Sequence, residues 1–422
     1  MRSVKFIHTG DLHLDTPFRG LSSINKELAH RLKDATLASF RRIIDECIRQ
    51  RIDFLLVTGD IFDSQVQSLA AQLLFVEELK RLGREDIPAY IITGNHDPLQ
   101  SWIKELEMPQ KVFRFGGSQV ESFRFEKEGQ PLADIYGISY ESKVVNRNLA
   151  AGFHRRQDPA PFSIALLHGT IGSSGPHENY APFRLDDVKS RGFDYWALGH
   201  IHKRHLVHPA FPAILYPGNP QGRDFGETGQ RGCYLVEMQS QLPPELTFIP
   251  TQSIRFELIT ANLDGLDNIN ALGDRIEDTM SSEKDHEDGT SFIYRLQLTG
   301  RTPLHALLHR PGEAEEVRNK LNEGQLQQTH FRWIDRIELQ TRPEADLEEL
   351  KKASDFPAEV IRAFDQLQDD PAMLDEWLAR CEQDFNSQAA RRELDELSAE
   401  DKAGILDNAR WILLDQLLNP ES

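Results

Sequence analysis

Cysteine is scarce in this sequence, with 3 residues in a chain of 422. Cys47, Cys233 and Cys381 are far apart and form no Cys-x-x-Cys pair, which excludes a disulfide-rich scaffold and a cysteine-rich zinc site. No apolar run approaches the about 20 residues that cross a bilayer, and Met1 leads directly into a predicted strand without a signal peptide. These absences predict a cytoplasmic protein with no membrane partner.

Positive charge is also in short supply, since 48 Lys and Arg stand against 67 Asp and Glu, a net charge of −19. A chain this acidic is an unusual partner for nucleic acid. The excess is concentrated in residues 344–422, which hold 21 acidic and 8 basic side chains, a net charge of −13. The preceding 343 residues carry a net charge of only −6, so they remain compatible with DNA, especially where divalent metals add positive charge.

The first half of the chain repeats one pattern, a short apolar strand followed by polar residues of metal-binding types. Phe54–Val57 is apolar throughout, as in a strand buried on both faces of a parallel sheet, and it leads through Gly59 to Asp60. A carboxylate at that point lies in the crevice where open α/β sheets bind ligands. We expect five such strand ends at one edge of one sheet. They deliver Asp11 with His13, Asp60, Asn95 with His96 and Asp97, His168, and His200 with His202.

The residues at these strand ends offer oxygen and imidazole donors without thiolate, which favours Mn²⁺, Fe²⁺ or Zn²⁺. Seven candidate ligands are too many for one transition metal and suit two ions that share a bridging carboxylate. The seven are Asp11, His13, Asp60, Asn95, His168, His200 and His202. Two metal ions about 3.5–4 Å apart stabilise the attacking and leaving oxygens of an in-line displacement at phosphorus. The pattern therefore predicts a phosphoesterase with two divalent metal ions, Mn²⁺ being preferred.

The remainder of the chain predicts two further regions. Strand–helix alternation indicates a layered α/β domain over residues 1–245. Beyond Pro243 apolar residues alternate with a period of two, which predicts a small α+β capping or DNA-binding module over residues 246–342. Residues 343–422 show helical spacing only, and this acidic helical tail places Trp377 and Trp411 on apolar helix faces. Such faces either bind a partner or close the chain's own core, and both interpretations stay open.

The motifs HTGDLHL, TGDIFD, TGNHD, ALGHIHK and YPGNPQGRDF together resemble the calcineurin-like metallophosphoesterases, in particular their bacterial DNA exonuclease branch of SbcD- and YhaO-type nuclease subunits. The resemblance covers about residues 1–240. It implies a metallophosphoesterase sandwich in which Asp60 bridges two metals and His96 is the general acid. It also implies two ligand sets, which are Asp11, His13 and His202 in one and Asn95, His168 and His200 in the other.

Five neighbouring residues have less definite roles. Asp97 either orients His96 through a hydrogen bond or caps the following helix. Asp63 stands where archaeal and eukaryotic members of the resembled family carry a DNA-handling histidine, so that role does not transfer, and we expect Asp63 to support the site residues without binding metal itself. Lys203, Arg204 and Arg223 lie in predicted loops near the site and are candidate contacts to substrate phosphate.

The resemblance implies a metal-dependent DNA exonuclease or endonuclease subunit that works in DNA repair beside an SbcC-like coiled-coil ATPase and can form a homodimer. No Gly-x-x-x-x-Gly-Lys-Ser/Thr motif occurs in the sequence, so ATP hydrolysis would come from the partner. Two alternatives remain. One is a phosphodiesterase for a small nucleotide or phosphorylated metabolite, and the other is a non-catalytic scaffold with the same fold, which the intact ligand set disfavours.

Overall fold

The computed structural model describes residues 2–14, 16, 26–63, 68–102, 107–172, 180–240, 242–282, 289–344, 346–382 and 397–418. Up to residue 250 strands predominate, and two long helices follow the first two strands. In chain order these elements are β1 (Ser3–Thr9), α1 (Lys26–Gln50), β2 (Phe54–Thr58), α2 (Leu69–Arg84), β3 (Ala89–Ile92), β4 (Val112–Arg114), β5 (Glu121–Lys127), β6 (Gln130–Gly137), β7 (Phe162–His168), α3 (Leu185–Lys189), β8 (Tyr195–Gly199), β9 (His205–His208), β10 (Ala213–Tyr216), β11 (Gly232–Gln239) and β12 (Glu245–Pro250).

The first sheet has the strand order β12-β11-β1-β2-β3-β4. β1 to β4 run parallel, with Phe6 opposite Phe54 and Leu56 opposite Tyr90, while β11 pairs antiparallel with β1 and β12 antiparallel with β11. The central strands are covered on one face by helices and on the other by a second sheet. This double coverage explains why β2 is apolar along its whole length.

The second sheet has the strand order β5-β6-β7-β8-β10-β9. β6, β7, β8 and β10 run parallel, and β5 and β9 are antiparallel edge strands. The five ligand-bearing strands are therefore divided, with β1, β2 and β3 in the first sheet and β7 and β8 in the second. The expectation of a single sheet was wrong, because an apolar run indicates burial on both faces but does not say which strand is its neighbour.

Apolar side chains of the two facing sheets form the central core. Phe6, Phe54 and Tyr90 of the first sheet meet Ile164 and Tyr195 of the second, all of them buried. Full burial of such a side chain is worth about 1.5–3 kcal/mol relative to exposure. α1 and α2 cover the outer face of the first sheet with buried residues at helical spacing. The sandwich confirms the predicted layered α/β fold.

A three-stranded sheet follows the sandwich in sequence, in the order β13 (Ile254–Asn262), β14 (Ser291–Arg301) and β15 (Arg332–Arg342). Its period-two strands confirm the predicted alternation, although the compact units of the chain cut across them. One unit is Met1–Ile259, Ser281–Leu296 and Val317–Ile337, and the other is Thr260–Met280, Gln297–Glu316 and Glu338–Ser422. The domain boundaries at 245 and 342 therefore stay predictions. The elements are β13 (Ile254–Asn262), α4 (Ile269–Ser282), β14 (Ser291–Arg301), α5 (His305–Leu308), α6 (Glu313–Leu321) and β15 (Arg332–Arg342).

The tail consists of α7 (Leu347–Lys351), α8 (Phe356–Asp369), α9 (Pro371–Glu382) and α10 (Ala399–Leu418). α8 packs on α10 around Ile361 and Leu414, which are both fully buried, and Leu374 of α9 packs with Leu406 of α10. The tail thus closes a small core of its own. Several apolar side chains of α10 nevertheless remain exposed, namely Ile405, Ile412, Leu413 and Leu418. Among the described helices, none has the length and apolarity needed to cross a bilayer.

Candidate metal centre

The backbone at the strand ends adopts a conformation that ordinary residues rarely accept. Asp11, His13, Asp60 and His200 have φ angles of 51°, 44°, 50° and 101°. Side chains at positive φ cost conformational energy, and such residues concentrate at functional sites. Hydrogen bonds from Asp11 N to Gly59 O at 2.9 Å and from His13 N to Asp60 O at 3.0 Å hold two of these loops together.

One group of candidate ligands contains Asp11, His13 and His202. The Nε2 atoms of His13 and His202 are 3.1 Å apart, and His202 Nε2 lies 4.0 Å from Asp11 Oδ1. The Asp11 carboxylate also accepts a hydrogen bond from His200 N at 3.0 Å. Since Asp11 follows β1 and His200 follows β8, this contact joins the carboxyl edges of the two sheets.

The other group contains Asp60, Asn95, His168 and His200. Asn95 Oδ1 lies 3.0 Å from His168 Nε2 and 3.2 Å from His200 Nδ1. His168 Nε2 is in turn 3.4 Å from Asp60 Oδ2. The structure therefore brings together all seven residues that the strand-end pattern predicted as ligands.

The donor spacing in both groups fits a metal ion. Bonds of about 2.0–2.2 Å from a metal to nitrogen or oxygen place neighbouring donors about 2.8–3.6 Å apart, with the shorter values in octahedral and the longer in tetrahedral geometry. The separations of 3.0, 3.1, 3.2 and 3.4 Å lie in that interval. Asp60 Oδ2 lies between the groups, 3.4 Å from His168 Nε2 and, at a wider spacing, 4.0 Å from His13 Nε2. A shared carboxylate oxygen between two donor sets suits a pair of divalent cations.

The electrostatics of the centre also call for cations. Asp11 and Asp60 are almost fully buried, and burial lowers the pKa of His13 well below its ordinary value and that of His200 to about 3. These neutral imidazoles keep free lone pairs and supply no positive charge to the two carboxylates. For His168 burial also acts to lower the pKa, but the negative charge of Asp60 outweighs it and raises the pKa to about 9. A proton on His168 thus occupies the position that a metal would take.

Hydrogen bonds at Nδ1 fix the tautomers of two candidate ligands. His168 Nδ1 lies 2.9 Å from Thr58 O, a carbonyl that can only accept, so the ring donates there and Nε2 is free to bind metal. His202 Nδ1 lies 2.7 Å from Glu227 Oε1 and donates in the same way. Both rings therefore present Nε2 to the metal centre.

Glu227 is a residue that the strand-end pattern did not identify. Its carboxylate is largely buried and, besides His202, accepts hydrogen bonds from Arg223 Nη2 at 2.8 Å and from Asn219 Nδ2 at 2.8 Å. These donors hold the pKa of Glu227 well below its usual range in spite of burial. Glu227 follows no strand and lies in a glycine-rich loop, so periodicity could not indicate it. The available signal in the sequence was its position two residues after the motif YPGNPQGRDF.

His96 lies beside the ligands without belonging to either group. Its backbone N donates to Asp60 Oδ1 at 2.9 Å, whereas its side chain is 36% exposed and its Nδ1 lies 3.7 Å from Asp63 Oδ1. Burial acts to lower the pKa of His96, but the charges of Asp63 and Asp60 outweigh it and raise the pKa. An imidazole with a raised pKa that also reaches solvent is suited to protonate a leaving group. Asp63 thereby acquires a structural assignment as its partner.

The structure gives Asp97 a third role beside the two considered from the sequence. Its fully buried carboxylate accepts hydrogen bonds from the backbone N–H groups of Asp60 at 3.1 Å, Ile61 at 3.1 Å and Gly94 at 2.8 Å. These bonds tie the loop after β2 to the loop after β3. Asp97 therefore positions the loops that carry Asp60 and Asn95.

The three candidate phosphate contacts differ in their surroundings. Arg223 Nη2 lies 2.9 Å from His202 Nδ1, next to the ligand set. The Arg204 guanidinium instead lies over the Phe248 ring, 4.2 Å from its centre, and Lys203 is exposed. Arg223 is therefore the one of the three that contacts a candidate ligand.

Comparisons with known proteins match two stretches of the chain. Residues 4–204 match the calcineurin-like phosphoesterase family, and residues 256–342 match the middle domain of metallophosphoesterase YhaO. An uncharacterized metallophosphoesterase, YhaO of Bacillus subtilis (strain 168), is 38% identical over 350 residues, which are 83% of this chain and 85% of that protein.

More distant relatives are named DNA double-strand break repair protein Mre11. The protein of Sulfolobus acidocaldarius is 25% identical over 318 residues, 71% of this chain and 76% of that protein. The protein of Sulfurisphaera tokodaii is 30% identical over 257 residues, 58% of this chain and 62% of that protein.

Proposed function

The chain belongs to the calcineurin-like metallophosphoesterases, and we propose that it is a nuclease subunit that hydrolyses phosphodiester bonds of DNA with two divalent metal ions. The observation that carries this proposal is the position of Asp60 Oδ2, 3.4 Å from His168 Nε2 of one ligand group and 4.0 Å from His13 Nε2 of the other. Mn²⁺ is the proposed ion, with Fe²⁺ or Zn²⁺ as substitutes, because the donors are carboxylate, amide and imidazole.

When bound, the metals would supply Lewis acidity toward the phosphoryl group and activation of the attacking water. The chain's own contribution to the chemistry is His96, which donates a proton to the leaving oxygen. Asp63, 3.7 Å away, raises the pKa of that imidazole and so favours its protonated form. Asp97 and Glu227 take no part in proton transfer. Asp97 positions the loop of Asp60, and Glu227 orients the His202 ring, so both prepare the residues that would hold the metals.

DNA as the substrate rests on two kinds of support. The Mre11 relatives are named as DNA double-strand break repair proteins. The net charge of −6 over the first 343 residues is small enough that two divalent cations offset most of it, which lowers the repulsion of a phosphate backbone. Arg223 is the proposed phosphate contact beside the metals, and Lys203 and Arg204 are proposed contacts farther along the strand.

A direct test combines the purified chain with Mn²⁺ and three substrates: labelled duplex DNA, a cyclic nucleotide and a dinucleotide. We expect cleavage of DNA and no cleavage by an Asp60→Ala variant, which controls for contaminating nucleases. Turnover of the small substrates alone would indicate a phosphodiesterase of nucleotides and not a nuclease. Metal binding without turnover of any substrate would instead indicate a scaffold.

An SbcC-like coiled-coil ATPase is the proposed partner, and the tail is the proposed contact. α10 exposes Ile412 at 50% and Leu413 at 39%, although the tail has already closed its own core. Exposed apolar side chains on a helix suit a helix-on-coiled-coil contact. An Ile412→Glu variant should no longer co-purify with the ATPase, whereas Ala403→Glu, exposed on the opposite face of the same helix, should still co-purify. Equal recovery of both variants would remove α10 from the interface.

A further inference from the structure

A second polar site lies far along the chain from the metal ligands, within the compact unit that contains the tail. It is an open cleft of about 570 Å³ between the ends of β15, α5 and α10. Its polar lining consists of His305, His309, Gln340, Thr341, Arg342 and Asp415. The proposed nuclease reaction uses none of these residues.

Two arginines, Arg342 in the lining and Arg301 behind it, share the Asp415 carboxylate at this cleft. Arg342 Nη1 lies 2.5 Å from Asp415 Oδ2, and Arg301 Nη1 lies 3.5 Å from Asp415 Oδ1. One carboxylate therefore serves two guanidinium groups. Arg301 is held in place by its stacking on the Trp411 ring, 3.1 Å from the centre, yet its buried Nη2 has no hydrogen-bond partner. A buried N–H donor that the protein leaves unsatisfied is suited to an acceptor oxygen from a ligand.

The two histidines add donors to the cleft. Their rings are 4.2 Å apart, and a single hydroxyl lies between them: Thr341 Oγ1 is 3.1 Å from His305 Nδ1 and 3.4 Å from His309 Nε2. That hydroxyl has one proton, so it donates to one ring and accepts from the other. The ring that accepts the hydrogen bond from the hydroxyl carries its own N–H on the second nitrogen, and that N–H is available to a ligand.

A cation is the competing ligand, since two histidines four residues apart on a helix and an aspartate can bind zinc. Asp415 is already engaged by Arg301 and Arg342, so a cation here would lie next to two guanidinium groups. In the described part of the chain, every group of three His, Cys, Asp or Glu side chains close enough to share a metal lies at the sheet edge. Both observations favour an anion.

We propose that this cleft binds a phosphate ester, recognised by the Arg342 guanidinium and the His305–His309 pair and balanced by Arg301. Arginine presents a planar set of N–H donors that matches phosphate oxygens. The volume suffices for a nucleotide as well as for one phosphate of a nucleic-acid backbone. The shared chemistry of both sources is the phosphate ester.

The test measures binding of inorganic phosphate, a deoxynucleoside 5′-monophosphate and a short single-stranded oligonucleotide to the full chain by calorimetry. A chelator keeps the sheet-edge centre free of metal. Arg342→Gln should weaken phosphate binding about tenfold, the usual effect of losing a charged hydrogen bond. Arg336→Gln, a substitution of an exposed arginine on the same strand, should leave binding unchanged.

A second variant predicts a change of opposite sign. Asp415→Asn removes the carboxylate that competes for both arginines, so phosphate should bind more tightly. Affinity that rises with oligonucleotide length would identify a nucleic-acid backbone, and equal affinity for the mononucleotide would identify a small ester. Phosphate binding unaffected by Arg342→Gln, weaker binding in Asp415→Asn, or Zn²⁺ binding that depends on His305 and His309 would each overturn the proposal.

Discussion

Glu227→Gln separates the two ligand groups of the centre more cleanly than removal of a ligand. The substitution keeps the size of the side chain but removes its charge and one acceptor oxygen. In the native chain that carboxylate accepts from His202 Nδ1 at 2.7 Å, Asn219 Nδ2 at 2.8 Å and three N–H groups of Arg223 at 2.8–3.2 Å. One amide oxygen cannot satisfy all of them.

The expected effect is a loss of about 10–100-fold in metal affinity, the usual result of removing a hydrogen bond that orients a ligating histidine. The loss should be confined to the group that contains His202, because the structure ties Glu227 to that ring and ties His168 to Thr58 instead. Folding stability should also fall, by less than the about 3–5 kcal/mol of a fully buried broken ion pair, since the Arg223 side chain keeps 20% of its exposure.

Mn²⁺ titration by calorimetry, with urea unfolding in parallel, measures both effects. We expect one weakened and one unchanged binding step. Glu237→Gln is the matched control, since Glu237 pairs at 3.6 Å with Lys5 on the surface of the first sheet. Two equally weakened steps, or two unchanged steps in a folded variant, would refute the assignment of Glu227 to His202.

Two further substitutions test the acid and the packing of the ligand loops. His96→Ala should retain both metals and lose about 10²–10⁴-fold in turnover, the usual contribution of a general acid. Metal content and the rate of DNA cleavage measure these two effects. A normal cleavage rate would show that His96 is not the general acid. Gly94→Ala should lose metal, because the added Cβ would lie 2.8 Å from the His168 ring and against the Asp60 carboxylate. Full metal content by elemental analysis would contradict the close packing of Gly94 against these two candidate ligands.

Gly83→Ala is the control for the glycine substitution. Gly83 lies in α2, and an added Cβ would meet no atom within 4 Å. Alanine is favoured over glycine inside a helix by about 1 kcal/mol, so this variant should bind metal normally and unfold at a higher urea concentration.

The seven candidate ligands could be predicted because each comes at or shortly after the end of a largely apolar strand. In parallel strands the carboxyl ends are the natural place for polar side chains, so Asp60 after β2 and His168 at the end of β7 stand out in the sequence. The positive φ angles at Asp11 and Asp60 add what the sequence does not contain, namely the backbone strain that directs these carboxylates.

The division of the strands between two sheets could not be predicted. β3 and β7 have the same apolar character, yet they pair with different neighbours, and pairing depends on tertiary packing. For a related reason Glu227 was not identified from the sequence, and the loop-joining hydrogen bonds of Asp97 were not foreseen. Their roles are hydrogen bonds to residues distant in sequence, which no local periodicity records.

The central claim, two metal ions bridged by Asp60, is tested most directly by metal content. Elemental analysis of the chain after exposure to Mn²⁺ and gel filtration should give two ions per native chain and almost none for Asp60→Ala, with circular dichroism as the control for folding. The expected loss follows from the position of Asp60 Oδ2 between His168 and His13. One ion in the native chain, or two retained in a folded Asp60→Ala variant, would contradict the account.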